Sequence, residues 1–223
     1  MNLSLAALPL ALAMVDWIAV AKNWKGLRYA AKPGVILALL ALLGIFTGFR
    51  QEAVFFALAL AFSLAGDVAL ILPKEQFKSA LVFFLLAHLS YILAYNRGYP
   101  PPLLPSLVIL SGLIFMSRLV FYRISEGVIL SGNSRIKGPI RLYMLVHTVM
   151  VFSALITLLR PFWTPASAIL TSAGALLFYY SDATLAWNRF VKPLPQGRLK
   201  VIISYHLAQI ALVVGAILHY QSI

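Results

Sequence analysis

Residues 52–72 read EAVFFALALAFSLAGDVALIL. After Glu52, a single ionisable side chain, Asp67, interrupts an apolar run of the length, about 20 residues, that an α-helix needs to cross the hydrocarbon core of a bilayer. Working outward, comparable runs recur at 2–21, 33–49, 77–96, 102–121, 140–159, 163–186 and 199–220, each bounded by charged residues or by Pro and Gly. The spacing therefore predicts an all-α membrane bundle of eight transmembrane helices. Over the 223 residues, 62% are hydrophobic and 11% charged, with a mean hydropathy of +0.92. A soluble domain carries about a quarter charged residues, so the surplus apolar surface must face lipid. The spans use up the length, and a single helical domain over 1–223 is expected, without a separate soluble part.

The N-terminal stretch MNLSLAALPLALAMVDWIAVAK has the apolar character of a signal peptide but lacks its positive leading region, and it reads as a retained first helix. Cysteine is absent, which excludes disulfides, thiolate metal sites and a Cys nucleophile. A net charge of +12 raises the question of nucleic acid, but the cations sit in short loops between apolar runs, where they set topology and meet anionic headgroups. Fifteen of the 18 Lys and Arg fall in the odd-numbered loops, leaving Arg50, Arg97 and Arg160 for the even ones. The positive-inside rule then places odd loops in the cytoplasm and both termini outside it, in a multi-pass protein of the cell membrane, as in a bacterial inner membrane. The longest connection, about Tyr122 to Pro139, reads as a flexible basic tether or, alternatively, a lid.

Six acidic residues are present. Glu52, Glu75 and Glu126 fall in loops or at helix starts, and Asp16 lies near enough to Lys22 and the cytoplasmic surface to be hydrated. Asp67 and Asp182 lie inside apolar runs, where an ionised carboxylate costs on the order of 2.5–3.5 kcal/mol at mid-membrane; such residues face a bundle interior and mark functional sites. Both fall in the final third of helices of the same orientation, each after a small residue, Gly66 or Ser181, so they can share one cavity. Either they lock neighbouring helices together or they form a site. His88 and Tyr91 share one helix face, as do Tyr205 and Gln209. His147 and His206 read as structural. With no H-x-x-x-H pair, and with His219 near the opposite surface, no metal and no cofactor are expected; neither a Ser elbow nor a P-loop occurs. The G-D-x-x-L of the third helix and the S-D-x-x-L of the seventh, each followed by a basic loop, suggest a 4+4 parallel pseudo-repeat.

Taken in order, FSLAGDVALILP (62–73), FFLLAHLSYILAY (83–95), PIRLYMLVHTVM (139–150), FYYSDATLAWNRF (178–190) and SYHLAQIAL (204–212) resemble the spaced motifs of the YhhN-type lysoplasmalogenase family, whose vertebrate members are also called transmembrane protein 86. The resemblance implies eight spans and hydrolysis of the vinyl ether bond of lysoplasmalogens to a fatty aldehyde and glycerophospho-ethanolamine or -choline. It implies Asp67, His88, Tyr91, Asp182, Tyr205 and Gln209 as the site; the two buried aspartates are expected to be the catalytic pair, with His88, Tyr91, Ser181, Tyr205 and Gln209 around the lipid. Vinyl ether cleavage needs one protonated acid and one anionic stabiliser, roles that two carboxyls in a low-dielectric cavity can divide. The same aspartates would serve a proton-coupled carrier as a relay.

Overall fold

The computed structural model describes residues 3–50, 53–72, 76–98 and 100–221. Glu52 and Glu75, read above as loop or helix-start charges, lie outside the described residues. Eight α-helices follow one another: α1 (Leu3–Ala21), α2 (Lys25–Thr47), α3 (Ala53–Ile71), α4 (Phe77–Tyr95), α5 (Leu103–Leu130), α6 (Lys137–Leu155), α7 (Pro165–Phe190) and α8 (Gly197–Tyr220). A 3-10 turn, Ile156–Leu159, continues α6. Local chemistry sets several ends. α2 stops at Gly48, whose left-handed backbone (φ 59°) lets its N–H close on the Gly44 carbonyl. α7 starts with Pro165 at its first position, behind Thr164, whose hydroxyl accepts from the Ser167 N–H at 3.3 Å.

Six of these helices, α2 to α6 and α8, are long and apolar enough to cross a membrane. In α7 the reason for its lower hydropathy is visible in its packing, for Ser167, Thr171, Ser172, Ser181 and Thr184 are all buried inside the bundle. The polarity of a soluble protein is inverted. Asp16, Lys32, Asp67, His88, His147, His206 and Gln209 are buried, whereas Leu104, Val108, Phe115 and Leu130 stand exposed on α5. α1, α2, α3, α4, α6, α7 and α8 pack in that order around a closed ring, α8 returning to α1 and α2, and α5 lies outside it against α6 and α7.

The helix ends depart from the sequence reading in ways that matter for the site. α2 begins at Lys25 rather than near Pro33, because Pro33 is accommodated within the helix, and this draws Lys32 out of the loop and into the bundle. α5 runs 28 residues, about 42 Å at the α-helical rise, so most of the expected Tyr122–Pro139 tether is helix. Its last turns are held by Ile124 and Val128, which pack with Ile140 and Phe190. Asp16, expected to be hydrated beside Lys22, is instead fully buried and paired with Arg28 at 3.5 Å.

Candidate active site

α6 contributes Tyr143 and His147, one turn apart on a single face, and α4 contributes His88 opposite them. α7 brings Asp182 between the three. The Tyr143 hydroxyl donates to Asp182 Oδ2, His147 Nδ1 lies 3.0 Å from the same oxygen, and His88 Nε2 lies 3.4 Å from it. His88 Nε2 is also 2.9 Å from the Tyr143 hydroxyl. One arrangement of hydrogens fits the three shortest contacts: His88 Nε2–H donates to the Tyr143 oxygen, His147 Nδ1–H donates to the carboxylate, and Tyr143 donates to Asp182. The imidazole rings stack with centroids 3.8 Å apart, and Phe178, one turn before Asp182, presses edge-on against His88 at 4.8 Å.

A second polar cluster is built from α2, α3, α4 and α8. Asp67 Oδ1 lies 2.8 Å from Lys32 Nζ, and its Oδ2 accepts from the Tyr205 hydroxyl at 2.9 Å. Gln209, one turn after Tyr205, accepts from Tyr91 at 2.6 Å and donates to Ser63 at 3.0 Å. An aromatic wall stands between the clusters: Phe84 and Phe178 are 6.3 Å apart, and Tyr205 lies 5.9 and 5.4 Å from them. Gly66 is what lets Phe84 sit there, since a Cβ at that position would come within 2.7 Å of its ring.

The proposed site residues are thus gathered into two neighbouring groups. Tyr205 meets Asp67, Tyr91 meets Gln209, and His88 meets Asp182, whereas Asp67 and Asp182 share no hydrogen-bonding partner. Ser181 turns to α8 and donates to the Val201 carbonyl at 3.0 Å, joining the two helices. His206, read as structural, stacks on Trp17. Three partners escaped the sequence reading. Lys32 looked like a loop cation, Tyr143 carried no signal beyond its place in the resemblance, and His147 seemed to lie in a bland helix although the Tyr143–His147 spacing of one turn was there to be read.

The two carboxyls differ in access. The Asp67 side chain is 1% exposed and carries its own cation; that of Asp182 is 16% exposed and none of its partners is a Lys or Arg. Asp182 opens onto a slot of about 50 Å³ whose polar end is formed with Tyr143, His147 and Tyr179, and whose walls include Leu81, Phe84, Ile124, Ile140 and Met144. A ligand atom from each of His88, His147 and Asp182 lies within 4.8 Å of the others, so the trio also has the donor set of a cation site. Ligand histidines ordinarily donate their second N–H to an acceptor that fixes the ring, and here His88 Nδ1 and His147 Nε2 are buried without a partner. The geometry suits a shared proton better than a metal.

Residues 27–216 match the YhhN family. The chain belongs to that family. Among curated relatives, lysoplasmalogenase TMEM86B of Sus scrofa is 34% identical over 152 residues, covering 68% of this chain and 58% of the relative. The Mus musculus protein of the same name is 32% identical over 162 residues, 71% and 62% of the two chains, and lysoplasmalogenase TMEM86A of Homo sapiens is 26% identical over 163 residues, 71% and 63%. The match spans about three fifths of the length of these relatives. No solved structure matches.

Proposed function

We propose that this chain is an intramembrane hydrolase that cleaves the vinyl ether bond of lysoplasmalogen-like lysophospholipids, releasing a fatty aldehyde and a glycerophospho-ethanolamine or -choline. The observation that carries the reading is the position of Asp182, held by three hydrogen-bonding groups at the polar end of an apolar slot. The names of the YhhN-family relatives support the reaction class.

One extra proton on the Asp182–His88–His147 cluster makes it a general acid. That proton passes to the β-carbon of the vinyl ether, whose π pair forms the new C–H bond and leaves an oxocarbenium ion. The Asp182 carboxylate opposes the charge in a low-dielectric setting, where such an interaction is strongest. The carboxylate then takes a proton from water as its oxygen adds to the cationic carbon. The resulting hemiacetal collapses as Asp182 gives its proton to the leaving glycerol oxygen and takes back the hemiacetal hydroxyl proton, so that the cluster ends with the proton it began with. His88 and His147 keep Asp182 in place and share its proton. Asp67, neutralised by Lys32 and closed off from the slot, serves the site as a positioning residue through Tyr205 and the Phe84–Phe178 wall. The slot is narrow, so an alkyl chain is admitted by rotation of its apolar side chains.

Purified protein given an alkenyl lysophospholipid is expected to release aldehyde, and Asp182→Asn is expected to lower turnover by about 10²–10⁴-fold while the protein stays folded. The competing reading, a proton-coupled carrier, draws on the wide cleft that opens beside Lys32. Proton-driven uptake into vesicles, with no aldehyde released at any pH, would establish the carrier instead.

A further inference from the structure

The paired motifs G-D-x-x-L and S-D-x-x-L put a leucine three residues after each buried aspartate, Leu70 after Asp67 and Leu185 after Asp182. At the α-helical rise each lies about 4.5 Å further along its helix. Both leucines line the slot that ends at Asp182, and both also line a second, wider cleft of about 510 Å³. They are therefore the partition between the two spaces. The cleft lies at the end of the bundle that carries the α1–α2 and α7–α8 connections; Lys25, Arg28, Lys32 and Arg198 line it, with no carboxylate among the described lining residues. Arg28 and Lys32 already face Asp16 and Asp67. Lys25 and Arg198 are exposed, and neither side chain has an ion-pair partner among the described residues.

We propose that this cleft receives the phosphate of the lysophospholipid headgroup on Lys25 and Arg198, while the alkenyl chain occupies the slot and the glycerol crosses between Leu70 and Leu185. The inference rests on the hydrolase reading above and adds to it an anion subsite and the register of the bound lipid. Six bonds separate the phosphorus from the first vinyl carbon, about 7–8 Å when extended. With that carbon at Asp182, the phosphate lies past Leu185, one turn away, and so on the cleft side of the partition. α8 meets it there. Ser181 donates to the Val201 carbonyl, which sets Val201 level with the chain neighbour of Asp182, and Arg198 is three residues nearer the start of α8, about 4.5 Å along the axis before the reach of its side chain is counted. Its guanidinium can take a phosphate through paired, charge-assisted bonds, and Lys25 adds a second positive charge. Size favours the same assignment, since a charged headgroup would lose its hydration without replacement in an apolar slot of about 50 Å³.

The test uses the full chain in detergent with two substrates, 1-alkenyl lysophosphatidylethanolamine and 1-alkenylglycerol, which has the same chain and vinyl ether but no phosphate. The wild-type KM should favour the phospholipid, and the double variant Lys25→Gln with Arg198→Gln should shrink that preference about tenfold, with kcat for the phospholipid changed less than KM. Two controls locate the effect. Arg135→Gln with Lys137→Gln removes the same charge at the same end of the bundle but outside the cleft lining, and Lys78→Gln alters the separate cleft beside Phe77 and Phe190. Both should keep the wild-type KM ratio. An unchanged ratio in the Lys25 and Arg198 variant, or an equal fall in either control, overturns the assignment. Binding of the uncleavable 1-alkyl lysophosphatidylethanolamine and 1-alkylglycerol gives a second readout independent of chemistry. If the wild type releases no aldehyde, the hydrolase reading fails, while loss of selective alkyl phospholipid binding in the double variant still supports the anion subsite and its retention overturns it. Glycerophosphoethanolamine, the headgroup without a chain, separates the sources: weak binding supports a lipid phosphate, and binding as tight as that of the lipid overturns it in favour of a soluble ligand.

Discussion

Asp67 and Asp182 are alike in sequence context and unlike in surroundings, and the difference is a single cation. Lys32 pairs with Asp67 at 2.8 Å, so Asp67→Asn leaves a buried ammonium unpaired, a loss expected to cost about 3–5 kcal/mol of stability. The double variant Lys32→Met with Asp67→Leu removes both charges and is expected to recover most of that stability in thermal unfolding. Turnover recovered along with it would show that Asp67 acts only by balancing Lys32; a folded but inactive double variant would place Asp67 and its Tyr205 contact in the working of the site. Asp182 has two imidazoles and a phenol instead, none a fixed cation. If the trio works with a proton, dialysis against a chelator should leave aldehyde release within about twofold. Loss on chelation with recovery on adding Zn²⁺ would replace the proton by a metal, whose removal abolishes such sites. Both aspartates could be found in the sequence because carboxyls in apolar runs are costly and therefore conspicuous. Tyr143 and His147 could not be ranked, since a Tyr or His inside a helix is unremarkable until a partner from another helix meets it.

The same contrast holds for whole helices. The existence and order of all eight were legible from hydropathy, because a span must hide its backbone and needs a fixed length to do so. Their ends were not. Pro33 suggested a start that the helix overrides, and the Gly, Ser and Asn of the Tyr122–Pro139 stretch suggested a loop where α5 continues to Leu130. Tertiary packing explains the second error: Gly127 lets the end of α5 lie directly against the backbone carbonyl of Phe190. A methyl group there meets main chain that cannot rotate away. Gly127→Ala is therefore expected to destabilise the protein by about 1–3 kcal/mol and to loosen the Phe77–Phe190 contact in the slot wall, raising KM for lipid more than it lowers kcat. Unfolding midpoints and KM both at wild-type values would show that α5 is free to shift.

For the molecule as a whole, the asymmetry of loop cations makes a directional statement. Reporter fusions at the C-terminus should report the extracytoplasmic side and insertions beside Arg135 the cytoplasm. A cytoplasmic signal at the C-terminus would mean that one helix does not cross, with α1 and α7, which fall outside the six clearly apolar helices, the first to reconsider. The closed ring with α5 outside it was not legible, because hydropathy says that a helix meets lipid but not which neighbours it keeps. The Lys32–Asp67 pair has a consequence for biogenesis. Released alone into the bilayer, α2 would carry an ammonium and α3 a carboxylate, each paying a penalty that the other cancels only when the two lie side by side. Insertion of the second and third helices together as one hairpin is therefore the expected route, with pairing of opposite charges a step in membrane integration rather than a refinement made after it.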